Sequence, residues 1–368
     1  MQRSTLRFEQ AIKSEATRKI YRLYLDQFKK FVKIKEDDGL LQLKDSALQE
    51  MIEDHLFYLR KQLSPNSIAG HFYALELFLS MNDKTINWKK IRKMFPATVK
   101  RTGGMAWSTK DIQKMLEYAT LRLRVLIHVL ASTGCRIGAV PSLKIKHVKD
   151  LENCKAITFY EGDKEEYVGF LTPEASKVLN EYLDKRKSDG EILTSESPLF
   201  RKRYHFGGAK AHHVQLNTLK TDIQNLVKRA NIQRERQGMR YNIQMDHGFR
   251  KRFDTILKNN KEGNLSLKEK LMSHSTRTIP LDSVYHSPDV MTLYEEFKLH
   301  IPNLTINDSE RHKVELAKKQ EKITEFESKI HENEKLKKDV EILKLQVQTL
   351  DKIATSYLKK AINDSSNL

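Results

Sequence analysis

Six residues of this chain, Arg136, Lys164, His247, Arg250, His274 and Tyr285, carry the side chains needed to grip a phosphodiester and attack it. A phenol has a pKa near 10 and is a poor nucleophile at neutral pH, so Tyr285 must lose its proton as it attacks. His247 can accept or hydrogen-bond that proton. Charge then builds on the non-bridging oxygens. Arg136 and Arg250 can each meet those oxygens with two parallel N–H donors, which lysine cannot do. His274 can add a donor, and Lys164 can protonate the departing oxygen. Pre-aimed donors of this kind are worth roughly 3–4 kcal/mol each.

Each residue also has a bland reading. Thr133-Gly134-Cys135-Arg136-Ile137-Gly138 places a guanidinium just after a glycine turn that ends an apolar helix. A cation there needs an acceptor, so an ordinary internal salt bridge fits equally well. His247 and Arg250 are three apart and share one face of a helix, with Asp246 a candidate cap. A basic helix with an incidental histidine would look the same. The clusters Arg201-Lys202-Arg203 and Lys251-Arg252 are candidate contacts to a nucleic-acid backbone, or solvated charge. The order of the six over 150 positions is more specific than any one of them.

The elements that must position these residues are mainly helical. In residues 1–95, apolar stripes at helical spacing run through Tyr21, Tyr24, Leu25, Phe28, Phe31 and Val32, after Ser14 as a cap. A second helix is predicted over 46–61, with Asp45 as a cap. A third begins at Ser64-Pro65, with Ile68, Phe72, Leu75 and Phe78-Leu79 as its stripe. Residues 96–104 have no periodicity and contain Gly103-Gly104 and two cations, which suits a basic linker. From 105 to 304 the chain reads as a second domain. Ser108 and Asp111 form a capping box, a long apolar helix runs to Ser132-Thr133-Gly134, and residues 155–171 have the chemistry of a β-hairpin with Lys164 in its turn. Helices are predicted again at 173–187, 216–230 and 246–259.

Residues 309–358 lack glycine and proline. Apolar positions fall at Ile323, Phe326 and Ile330, then Leu336, Val340, Leu343, Val347 and Leu350, with Asn333 where an apolar residue is expected. Alternating steps of three and four predict a coiled coil, and two consecutive steps of three mark a discontinuity at Asn333. An amphipathic helix folded back on the body is the other reading.

Composition narrows the partner. The formal charge is +18, and residues 309–368 hold 13 Lys/Arg against 11 Asp/Glu, so +16 belongs to residues 1–308. Such an excess favours nucleic acid, because neutralised phosphates release counterions. A solubilising surface or an anionic membrane is the alternative. No apolar run approaches the ~20 residues needed to span a bilayer, and the N-terminus lacks the apolar stretch of a signal peptide. Two cysteines cannot build a disulfide framework, so a cytoplasmic, reducing compartment is expected. No clustered zinc ligands and no phosphate-binding glycine loop are present, so no cofactor or metal is expected, with a magnesium site of dispersed carboxylates as the open alternative.

Taken together, the Thr133–Gly138 run, the Gly162-Asp163-Lys164 turn, His247–Arg250, Met272-Ser273-His274-Ser275 and Asp282–Pro288 make the chain resemble the tyrosine recombinase (phage integrase) family. The last segment, with Leu293–Phe297 after it, is most similar to archaeal integrases of viruses and mobile elements. The resemblance implies an α+β catalytic domain with a small β-sheet, preceded by a helical core-binding domain that clamps double-stranded DNA. It further implies a 3′-phosphotyrosyl intermediate, a free 5′ hydroxyl, no cofactor, and four protomers acting on two duplexes at specific sites. Departures are Ala139 where the family has an acidic residue, Ser273 for glycine, and a His274–Tyr285 gap about two residues long for the family. Tyr285 is the expected nucleophile and Tyr294 the next candidate. A Xer-like chromosome-dimer resolvase or a type IB topoisomerase would share the chemistry. A non-catalytic DNA-binding coiled-coil protein on the same fold is the alternative of another class.

Overall fold

The computed structural model describes residues 2–99, 104–202, 211–237, 240–273 and 288–365. The chain divides into two compact units, Met1–Thr102 and Gly103–Leu368. No described helix is long and apolar enough to cross a membrane.

The first unit is helical: α1 (Arg3–Gln10), α2 (Glu15–Val32), α3 (Asp37–Leu41), α4 (Asp45–Gln62), α5 (Pro65–Ser80) and α6 (Trp88–Lys93). The 3.6-residue stripes of α2 and α5 face each other, and Leu25, Phe28, Phe72, Leu75 and Phe78 are fully or almost fully buried between them. Ser14 stands at the N-cap of α2 without a side-chain capping bond. Asp45 is the first residue of α4 rather than its cap, and its carboxylate accepts from Lys84 Nζ and Thr85 N. The short helices α1 and α3 were not expected from periodicity. They are tied to α2 through Asp37, whose carboxylate accepts from Thr5 Oγ1 (2.5 Å), Arg22 Nη1 (2.7 Å) and Lys29 Nζ (2.6 Å).

The second unit opens with α7 (Thr109–Glu117), where Ser108 and Asp111 form the reciprocal capping box expected from the sequence. Next comes α8 (Leu121–Thr133), buried all round from Val125 to Thr133. A helix apolar on every face must be central, and α9 (Pro173–Ser188) and α11 (His247–Asn259) pack on it. The sheet is antiparallel in the order β1 (Val148–Leu151), β2 (Cys154–Phe159), β3 (Tyr167–Leu171). The β2–β3 hairpin pairs Lys155 with Leu171 and Phe159 with Tyr167. Its edge strand β1 has a polar centre, Lys149-Asp150, and so gave no strand signal.

Around this frame lie α10 (Leu216–Arg229), the two-residue strands β4 (Arg236–Gln237) and β5 (Arg240–Tyr241), α12 (Leu265–Leu271), α13 (Val290–Lys298) and α14 (Ile301–Leu304). The chain then forms one helix of 58 residues, α15 (Asp308–Ser365). Its root is fixed: the Glu174 carboxylate accepts from the Ile306 and Asn307 amides, and Val314 packs on the α12–α13 cluster. Beyond that root the apolar positions are exposed, with Phe326 at 63% and Leu350 at 64%. The seam is therefore not packed on the rest of the second unit.

Candidate active site

The break after α8 creates the site. Gly134 takes φ +58°, a left-handed conformation that favours glycine. A Cβ there would stand 2.6 Å from the Phe253 ring of α11, so the missing side chain also lets the two helices approach. Thr133 Oγ1 donates to the Val129 carbonyl and accepts from the Cys135 amide, which fixes the turn. Arg136 follows at the entrance to a tight helical turn, Ile137–Ser142, while Ile137, Ala139 and Val140 point into the core. Its side chain is 48% exposed, and Nη1 lies 3.7 Å from Glu165 Oε2. The acceptor missing at Ala139 is thus found on the β2–β3 turn. That contact ties the turn carrying Lys164 to Arg136. Lys164 itself is exposed, in a reversal set by the positive φ of Tyr160 and Gly162.

Arg250 comes from the end of the first turn of α11. Its Nη1 donates to the Gly134 carbonyl (2.7 Å) and its Nη2 to the Met272 carbonyl at the end of α12 (2.5 Å). These bonds use two of five guanidinium N–H groups. Burial, and next the like charge of Arg136, push Arg250 below its ordinary pKa, yet a guanidinium stays charged at neutral pH. Two cations are therefore held in one neighbourhood; among the described residues Glu165 lies near Arg136 and Asp254 acts on Arg250. An oxyanion would relieve that repulsion. His247, the first residue of α11, is 65% exposed, with Nδ1 3.4 Å from Asp246 Oδ1. Asp246 occupies the cap position without making a side-chain capping bond.

Two tyrosines that sequence reasoning did not single out border this pair. Tyr160 and Tyr167 flank the hairpin turn, their ring centroids 6.4 Å apart. Burial raises the pKa of each, while the positive charges of Arg136 and Arg250 oppose it. The Tyr167 hydroxyl is buried and has no hydrogen-bond partner among the described residues. A second missed feature is a hollow of about 960 Å³ lined by Lys220, Lys228, Arg234, Arg240, Tyr241 and Asp246. Arg234 sits over the Tyr241 ring, 4.0 Å from its centroid. These cations are scattered one at a time through the sequence and converge only in the fold.

The basic clusters divide. Arg252 is not a surface cation, which corrects the expectation for it. It is 4% exposed and donates to the carbonyls of Asn303 and Leu304 and to Thr109 Oγ1, and burial lowers its pKa to about 10. Two residues along a helix from Arg250 is a turn of about 200°, toward the opposite face. Lys251 Nζ donates to the Gly104 carbonyl. Arg201 is likewise 11% exposed and ion-paired through Nε to Glu191 (2.6 Å), a carboxylate that also holds the buried Arg186. Lys202 is exposed. Arg203, His274 and Tyr285 lie outside the described residues. Tyr294, the second candidate nucleophile, is buried against Phe170, which in turn packs on Phe297. Its hydroxyl donates to Glu152 Oε2 (3.0 Å), and the described residues of its apolar cluster include no arginine.

Comparison with known proteins bears on this arrangement. Residues 107–280 match the phage integrase family. The phage integrase match takes in Arg136, Lys164, His247, Arg250 and His274 and ends before Tyr285. No curated protein matches the chain. Among solved structures, XerA recombinase is 21% identical, with 81% of this chain and 98% of that chain covered and a TM-score of 0.38. The integrase of mycobacterium phage Brujita is 14% identical over 84% and 95%, with a TM-score of 0.41. A lambda integrase dimer bound to a COC′ core site is 13% identical over 75% and 92%, with a TM-score of 0.49.

Proposed function

We propose that the protein is a site-specific DNA recombinase of the tyrosine type, serving as the integrase of a viral or mobile element. The observation that carries this reading is the paired Arg136 and Arg250, with Arg250 braced on the Gly134 and Met272 carbonyls. The match to the phage integrase family over the same segment supports it.

In this reading the scissile phosphate takes the place between the two guanidinium groups. The Tyr285 Oη attacks phosphorus and its proton passes to a base, with His247 the candidate. The bond from phosphorus to the 5′ oxygen breaks as the bond to Tyr285 forms. Lys164 gives a proton to the departing oxygen, leaving a 5′ hydroxyl and a 3′-phosphotyrosyl link. The reverse steps, with a second 5′ hydroxyl as nucleophile, rejoin the strand. Bond energy is kept in the link, so no external energy source is consumed. The two guanidinium groups and His274 hold the charge that develops on the non-bridging oxygens. The first unit would act as the core-binding domain, and the hollow beside Asp246 would follow the DNA backbone.

The test is a duplex carrying a nick close to the cleavage position, so that the short strand diffuses away and the adduct accumulates. Wild type should form a covalent protein–DNA adduct, and Tyr285→Phe should not. An adduct that survives in the variant moves the nucleophile to another tyrosine. No adduct with DNA carrying the element's own junction sequence would falsify the enzymatic reading.

A further inference from the structure

We infer that α15 joins two copies of this chain in a parallel, in-register, two-stranded coiled coil that forms without DNA. The observation is a 58-residue helix whose apolar seam is exposed along its length. From Ile323 to Leu350 the seam is about 40 Å long at 1.5 Å per residue. A helix in a protein gains most of its stability from packing such a face against a partner.

The residue types select the partner. Downstream of Asn333, valines occupy the a positions (Val340, Val347) and leucines the d positions (Leu336, Leu343, Leu350). β-Branched a with Leu at d favours two parallel strands. Upstream, Ile323 and Ile330 fall at a and Phe326 at d. The two registers meet at Asn333, which is d of the first and a of the second. In a parallel in-register pair Asn333 faces its own copy and both amides find partners. Antiparallel a-to-d pairings of the downstream heptads set it against Leu343 or Leu350, leaving a buried amide unpaired.

Charge at the flanking positions agrees. In a parallel pair, g of one helix lies beside e of the next heptad on the other, five residues on. The pairs of two charged residues across both registers are Lys322 with Glu327, Lys329 with Glu334, Glu332 with Lys337, and Asp339 with Lys344. All four charged pairs are opposite in sign, the remaining downstream pair, Gln346 with Asp351, holds one charge only, and the polarity inverts at Asn333, where the register shifts. A merely solvated polar face has no reason to keep this order across the shift.

The mass of the full-length protein in DNA-free buffer tests the inference without reference to any recombinase activity. Sedimentation should give a dimer of about 86 kDa, twice the chain's 43.0 kDa. Lys337→Glu with Lys344→Glu should weaken it roughly tenfold or more, since attractive pairs become repulsive. Mixing that variant with Glu332→Lys/Asp339→Lys should restore a dimer of one copy each. A single Val347→Cys should cross-link under mild oxidation, because a faces a in register. Both native cysteines are buried and so do not interfere. A monomer at micromolar concentration overturns the inference. So does a DNA-free tetramer, which Ile342 and Leu345 at c and f would favour, and so does a dimer in which Val347→Cys fails to cross-link.

Discussion

Arg250 donates from Nη1 to the carbonyl of Gly134, 116 residues earlier in the chain, at 2.7 Å. The bond connects the end of α8 to α11. It points a half-buried guanidinium toward the turn that carries Arg136. Its consequence is rigidity: a donor held by two carbonyls does not reorganise when charge appears beside it.

Arg250→Lys should therefore lower the rate of adduct formation by roughly 10²–10³-fold, because an ammonium cannot reproduce the planar fork. The melting temperature should move little, since the charge and one carbonyl contact remain available. Single-turnover cleavage and thermal unfolding of the same preparation separate the two effects. Equal cleavage rates would remove Arg250 from the site.

Gly134→Ala combines a left-handed backbone with a Cβ 2.6 Å from Phe253. Backbone strain of roughly 1–2 kcal/mol adds to overpacking of roughly 1–3 kcal/mol. We expect a lower denaturation midpoint and impaired cleavage together, as α11 is pushed away and carries Arg250 with it. Unchanged stability would show that the two helices tolerate separation.

Arg252→Met and Lys202→Ala should behave oppositely. Loss of the buried Arg252 leaves the Asn303 and Leu304 carbonyls without their donor, for roughly 1–3 kcal/mol of destabilisation. Lys202 is exposed, so its loss should leave stability unchanged and reduce the salt dependence of DNA affinity. Denaturant titration and binding at two salt concentrations check both.

The Asp37 node predicts acid lability of the first unit. Burial pushes the Asp37 carboxyl up, but hydrogen bonds from Lys29, Thr5 and Arg22 outweigh it and hold the carboxyl below its ordinary value. A depressed folded pKa means that the unfolded chain binds the proton more readily. The stabilisation is complete above the unfolded value of 3.8 and is lost as pH falls through the lower folded value. Asp37→Asn should destabilise at pH 6–7, and the gap to wild type should close toward pH 2–3. Hydrogen exchange of α2 amides across that range reads it out.

Much of the frame was legible in the sequence. The stripes of α2 and α5, the Ser108–Asp111 box, the Pro173 start of α9 and the β2–β3 hairpin are local patterns, set by periods of 3.6 and 2 and by capping chemistry. The strand β1 was not legible, because Lys149 and Asp150 interrupt its pattern and only pairing with β2 makes it a strand. Helices α1 and α3 are too short for periodicity to register, and Asp37 secures them through contacts 32 and 8 residues away.

For the site, the sequence by itself determined which side chains the chain has to offer and their order: two guanidinium forks, a turn lysine, imidazoles and a tyrosine. It also determined that α15 would be one amphipathic helix, since each heptad is a local statement. Only the tertiary structure decided which cations face solvent. Arg250 and Arg252 are two residues apart and read alike, yet one is braced beside Arg136 and the other is buried against carbonyls near α14. Only the fold supplied Glu165 as the partner that Ala139 could not be, and it brought Tyr160 and Tyr167 beside the arginines. The reason is range. Helix and strand signals act between near neighbours, whereas the burial and pairing of a charge depend on groups that meet only when distant elements pack.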